Sequence, residues 1–166
     1  MRKFIVLSVL ALAVPVAALA SAPTPGTPTQ QAAAKAACKT ARTTLGVATF
    51  NLTYVGTTNA NRANAFGKCV SAAVKKDQAN TIAAVKSCKA AQLLDKTAFK
   101  TKYASLGKCV SATTTAANQA DQAATIAAAK SCKADKTASA TAFATAYGTK
   151  ANAFGKCVAL KVHATP

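Results

Sequence analysis

From Ala65 to Leu94 the chain carries no proline, a single glycine and a majority of small residues led by alanine, a composition that favours unbroken helix. At about 100° per residue, Val70, Val74, Thr81, Val85 and Cys88 fall within one narrow sector, and Lys68, Lys75, Lys86 and Lys89 fall on the far side. This spacing predicts one amphipathic helix of about 30 residues, roughly 45 Å long. Ile82 and Leu93 lie off the apolar stripe.

The scheme returns from about Ser105 to Ala134, with Val110 inside and Lys108, Lys130 and Lys133 outside. The segment from Asp77 to Cys88, Asp-Gln-Ala-Asn-Thr-Ile-Ala-Ala-Val-Lys-Ser-Cys, recurs from Asp121 to Cys132 with two positions changed to alanine. Cys69 and Cys88 are 19 residues apart, Cys109 and Cys132 are 23. An insertion of four is close to one helical turn and preserves the facing, as a helix requires. Ahead of these elements, Thr27-Pro28-Thr29-Gln30 has the form of a capping box with proline at the first helical position. A helix is therefore expected from about Pro28 through Cys38 to near Arg42. Thr43 to Asn64 reads as a mixed segment, with Asn64 as the N-cap of the long helix. Asp95-Lys-Thr-Ala and Asp135-Lys-Thr-Ala read as capped starts of two short helices, and Asn152 followed by Ala153 to His163 as a truncated copy of the long helix.

Behind these elements lies a triplication. Phe66-Gly67-Lys68-Cys69-Val70 returns as Leu106-Gly107-Lys108-Cys109-Val110 and as Phe154-Gly155-Lys156-Cys157-Val158. Each copy is preceded by a cysteine followed by lysine, at Cys38-Lys39, Cys88-Lys89 and Cys132-Lys133. Between the two cysteines of every module stands Phe-x-x-x-Tyr, at Phe50/Tyr54, Phe99/Tyr103 and Phe143/Tyr147, which places two rings on one face of a helical turn. The modules span 38–69, 88–109 and 132–157.

The first twenty residues have another grammar. Met1-Arg2-Lys3 is basic, Phe4 to Val16 is apolar, and Ala18-Leu19-Ala20 is a small-x-small site before Ser21, the signature of a secretory signal peptide cleaved near Ala20. A membrane anchor is the rival, but the run contains Pro15, is short for a span and ends without charges. Ser21 to Thr29, with Pro23, Pro25 and Pro28, reads as a Pro/Thr-rich spacer. The expectation is an exported protein, extracellular or envelope-associated, with its helical domain over 30–166.

Composition changes the picture of stability. Removing 20 of the 166 residues leaves 146, of which only 24 are Val, Leu, Ile, Phe or Tyr. Leu, Ile, Val and Phe alone are 21, well below the fifth of the chain at which high charge begins to suggest disorder. Six cysteines in an exported chain supply the missing term as a disulfide framework. The triplication selects Cys38–Cys69, Cys88–Cys109 and Cys132–Cys157, with separations of 31, 21 and 25 residues. Each such loop is worth roughly 3 to 4 kcal/mol on the chain-entropy estimate. Because each bridge joins the end of one helix to the start of the next, neighbours should be antiparallel. The fold class expected is all-α, disulfide-stapled antiparallel helical repeats, as an up-and-down bundle or a short array. Zinc is the rival for the cysteines, but there is no Cys-x-x-Cys and the single histidine, His163, stands in the tail; neither metal nor cofactor is expected.

Charge supplies the functional signal. The full chain carries +17, and losing Arg2 and Lys3 with the leader leaves +15. Seventeen of the 19 remaining basic residues are lysines, the others being Arg42 and Arg62, against four acids. Lysines offer point charge rather than the bidentate forks that read bases or particular phosphates. The expected partner is a polyanion recognised without sequence: wall polymers, extracellular DNA or an anionic lipid surface. The candidate residues are Lys68, Lys75, Lys86, Lys89, Lys108, Lys130 and Lys133. A helix this rich in alanine also needs a charged face for solubility, so a structural or host-interaction protein without polyanion ligand is the alternative. A weakly membrane-active protein is another, although valine and alanine make a poor apolar face. Ice binding lacks a regular 11-residue threonine spacing. The Phe-x-x-x-Tyr pairs suit core anchoring better than stacking on nucleotides or sugars, and Asn51-Leu52-Thr53 has the pattern of a glycosylation acceptor. An enzyme is not expected: the acids Asp77, Asp95, Asp121 and Asp135 form no sequence-adjacent pair, and no nucleophile elbow, phosphate loop or HExxH helix occurs.

Cys-Lys, Phe-x-x-x-Tyr-Gly and Asn-Ala-Phe-Gly-Lys-Cys-Val, joined by Ala/Lys helix, resemble the repeats of small exported proteins of high-GC Gram-positive bacteria that have no assigned function. The likeness covers most of residues 31–160 and is closest at 63–70 and 151–158; the middle module departs from it with Leu106 for Phe. The resemblance implies an exported helical repeat protein and brings no catalytic residue with it.

Overall fold

The computed structural model describes residues 26–57 and 64–164. The expected signal peptide, the first part of the spacer and Arg62 lie outside the described residues. Among the described residues there are six helices: α1 (Pro28–Val55), α2 (Ala65–Leu94), α3 (Lys96–Tyr103), α4 (Leu106–Ala138), α5 (Ala140–Tyr147) and α6 (Ala153–Ala164).

The capping box forms at the start of α1, with the Thr27 hydroxyl accepting from Gln30 N at 3.3 Å and the Gln30 side chain accepting from Thr27 N at 2.9 Å. The helix does not stop near Arg42 as expected. It continues to Leu45, breaks at Gly46 (φ 72°, ψ 155°) and resumes to Val55, so that Phe50 and Tyr54 sit on a short helix of their own after the break. Positive φ with ψ near 155° is open to glycine almost alone. The turn at Gly46 thus gives the first module the same long-helix, short-helix layout as the other two. Gly56, also at positive φ (71°), ends the element, and its Cα lies so near Ala151 that an added Cβ would fall 1.9 Å from the Ala151 carbonyl oxygen.

Helix α2 has the bounds its hydrophobic periodicity predicts. Asn64 occupies its N-cap position but makes no side-chain capping bond; its Oδ1 instead lies over Gly67, 2.3 Å from where a Cβ would stand. Asp95 caps α3 through Ala98 N at 2.8 Å. Asp135 does not cap the corresponding helix: α4 runs through it to Ala138, and Ser139 caps α5 through Ala142 N at 3.1 Å.

The long helices α1, α2, α4 and α6 form an antiparallel up-and-down bundle in which α2 and α6 each pack against both α1 and α4. Three disulfides join consecutive long helices, Cys38–Cys69, Cys88–Cys109 and Cys132–Cys157, each with Cα atoms 6.0 Å apart. The main core gathers Leu45, Phe50, Phe143, Phe154 and Val158 around the first and third bridges. A second, smaller core holds Cys88, Phe99 and Cys109, with Tyr103, Leu106 and Val110 against it. The phenylalanine of each aromatic pair is buried, with ring centroids 4.8, 5.3 and 4.8 Å from the tyrosines, so the rings anchor the short helices onto the bridges.

Where α1, α2 and α4 meet, a polar layer crosses the bundle. Gln30 Nε2 donates to Asp77 at 2.5 Å, Asn118 donates to the same carboxylate, and Asn80 Nδ2 donates to Asn118 and Asp121 at 2.8 Å each. These bonds fix the height at which the three helices stand relative to one another.

Candidate functional site

Each disulfide is set between two lysines. In every module lysine follows the first cysteine and precedes the second, and in an antiparallel helix pair these two positions stand at the same level along the axis. The pairs are Lys39 with Lys68, Lys89 with Lys108, and Lys133 with Lys156, all six exposed while every cysteine between them is buried. Because the two cysteines face each other, a turn of about 100° from each carries the two lysines to opposite faces of the helix pair, so that every bridge presents one lysine to either side.

The seven lysines expected to meet polyanions are all exposed, but they do not form one patch. Lys68, Lys89, Lys108 and Lys133 each neighbour a bridged cysteine in the chain. Lys75 and Lys68 share an open groove of about 410 Å³ with Asn64, Gly67, Ser71 and Ala72. Lys86 stands one turn from Lys89 on α2, and Lys130 one turn from Lys133 on α4. Lys39 and Lys156 were not among the expected residues, although the triplicated Cys-Lys and Gly-Lys-Cys signals contain them.

The carboxylates explain why these charges stay uncompensated. Asp77 accepts from Gln30 and Asn118 inside the polar layer. Asp95 is held by its cap. Asp121 accepts from Asn80 and pairs with Lys76 at 3.3 Å, and Asp135 pairs with Lys161 at 2.7 Å. All four acids in the sequence are thereby engaged within the bundle, and none lies in an ion pair with a bridge-flanking lysine among the described residues.

Among the described residues no group of three or more His, Cys, Asp or Glu is placed to hold a metal ion, and no cysteine is free. Asn51 is buried within α1 and has no room for a glycan. Burial pushes the Tyr54 phenol above its ordinary range by desolvating the charged form. No helix among the described residues is long and apolar enough to cross a membrane.

No protein-family model, curated protein or solved structure matches this chain.

Proposed function

We propose that the chain is an exported, non-catalytic cationic protein that binds anionic envelope or extracellular polymers without reading their sequence. The observation that carries this reading is the division of labour among charges: all four carboxylates are engaged in intramolecular contacts, while an exposed lysine neighbours each of the six bridged cysteines. Three structural disulfides support an oxidising compartment, in keeping with the signal-like N-terminal sequence and with the likeness to small exported repeat proteins. Point charges presented along helices favour phosphate-rich or carboxylate-rich polymers of any sequence.

The test is retention on immobilised heparin or DNA along a salt gradient. Elution later than an unrelated protein of matched charge is expected; elution together with it removes the proposal. Replacing Lys68, Lys75, Lys86 and Lys89 with glutamine is expected to lower the slope of log affinity against log salt by up to about four, with helicity by circular dichroism unchanged because all four side chains are exposed.

A further inference from the structure

In a chain with so few bulky apolar residues, two of the six leucines beyond residue 20 are left almost wholly in solvent: Leu93 and Leu94 are 87% and 88% exposed. Both end α2 at a tip that none of the described residues covers. Gln30 at the start of α1 meets α2 at Asp77. From Asn80 to Leu94, α2 therefore runs on for about 20 Å beyond that level, accompanied among the described residues by α4 and by α3, which packs against α2 and α4. At about 100° per residue, Lys68, Lys75, Ile82, Lys86, Lys89 and Leu93 fall within about 60° of one another on the outer face of α2. Ile82, 61% exposed, is thus in line with the lysines rather than with the core. Residues 86–108 carry six lysines and one acid, Asp95, which is engaged in the cap of α3.

We infer that this tip seats on an anionic lipid bilayer, with Leu93, Leu94 and Ile82 entering the headgroup boundary while the surrounding lysines meet lipid phosphates. The inference rests on the proposed polyanion-binding reading and narrows it. A wall polymer or DNA offers the lysines a partner but gives exposed leucines no apolar phase; a bilayer surface gives both. Contact is interfacial and not spanning, since the described helices are too polar to cross. The lysine stems lie along the same surface and keep their ammonium groups at the phosphates.

The oxidised full-length exported protein is sedimented with vesicles of equimolar phosphatidylglycerol and phosphatidylcholine, with pure phosphatidylcholine vesicles and a heparin column in parallel. Binding to the anionic vesicles alone is expected, and Ile82→Ser, Leu93→Ser and Leu94→Ser together should weaken it by about tenfold or more while heparin elution stays the same. Vesicle binding unchanged by the triple substitution overturns the inference. Heparin retention without vesicle binding overturns it too and leaves the polyanion reading standing, whereas absence of both removes that reading with it. The chain has no tryptophan, so Leu93→Trp gives a lone reporter in an otherwise intact protein. Its emission should shift to the blue on anionic vesicles and not on heparin, and an unshifted emission at saturating vesicle rules out insertion of the tip.

Discussion

At the scale of single residues, the three modules carry out one another's controls. Tyr54, Tyr103 and Tyr147 occupy equivalent places, and the chain turns sharply after each. The third module turns at Gly148 (φ 91°), directly after its tyrosine; the second turns at Ala104, which is forced to φ 61° and is the one non-glycine residue at positive φ among the described residues. A Cβ at positive φ crowds the backbone and costs on the order of 1 to 2 kcal/mol. Ala104→Gly, which copies Gly148, is expected to raise stability by about 1 kcal/mol after allowing for the extra freedom glycine gives the unfolded chain. Thermal melts of the two proteins decide it: an unchanged or lowered midpoint would mean that the turn at Ala104 is unstrained. The effect belongs to the second core, the smaller of the two, where little else holds α3 in place.

At the scale of elements, local sequence decided some boundaries and distant partners decided others. Helix α2 was legible because thirty residues led by alanine, with one glycine and no proline, leave few alternatives, and its apolar stripe marks the buried face through Val74 and Cys88. The pair Asp95-Lys-Thr-Ala and Asp135-Lys-Thr-Ala shows the limit. The two tetrapeptides are identical, yet only the first caps a helix. Asp135 is drawn into an ion pair with Lys161 of α6, and Ser139 stands ready as a cap four residues later. The tetrapeptide alone does not separate the two; the spacing to the aromatic pair does, since Asp95 stands four residues before Phe99 and Ser139, not Asp135, stands four residues before Phe143. The exposed places of Ile82 and Leu93 were visible as departures from the stripe, but their standing on the lysine face of an uncovered tip depends on where α1 begins. Gly46 was the missed signal in α1: a single glycine inside a helical pattern was compatible with a break, and the pattern resumes afterwards around Phe50. Gly46→Ala is expected to destabilise the protein by about 2 kcal/mol or more, because alanine is excluded from φ 72°, ψ 155° and the alternative, a straight helix, would carry Phe50 out of the main core. Space is no obstacle, as nothing lies within 4 Å of the added Cβ. A denaturant midpoint equal to that of the parent would show that the break is optional.

For the molecule as a whole, the decisive fact is what fills the core. Of the 20 buried hydrophobic residues among those described, seven are alanine and six are the bridged cysteines, leaving four phenylalanines, two valines and one leucine. Alanine contributes little area to burial, so most of the contact between long helices is made by side chains too small to hold them together. The bridges act where that deficit is greatest, joining consecutive long helices at both ends of the bundle, and their loops of 31, 21 and 25 residues each restrict the unfolded chain by roughly 3 kcal/mol or more on the entropic estimate. Three such terms together are comparable with the full stability of a domain this size. Complete reduction is therefore expected to abolish cooperative melting and most of the helical circular dichroism at 25 °C, and a reduced protein that melts like the oxidised one would refute this account of the fold. The bridges should also differ among themselves. Cys88–Cys109 is central to the small core, so replacing that pair with alanine should release α3 and the tip while the α1, α4 and α6 contacts persist. Amide exchange resolves the two outcomes, with protection lost over residues 86–108 alone if the tip is a separate unit and lost throughout if the bundle unfolds as one.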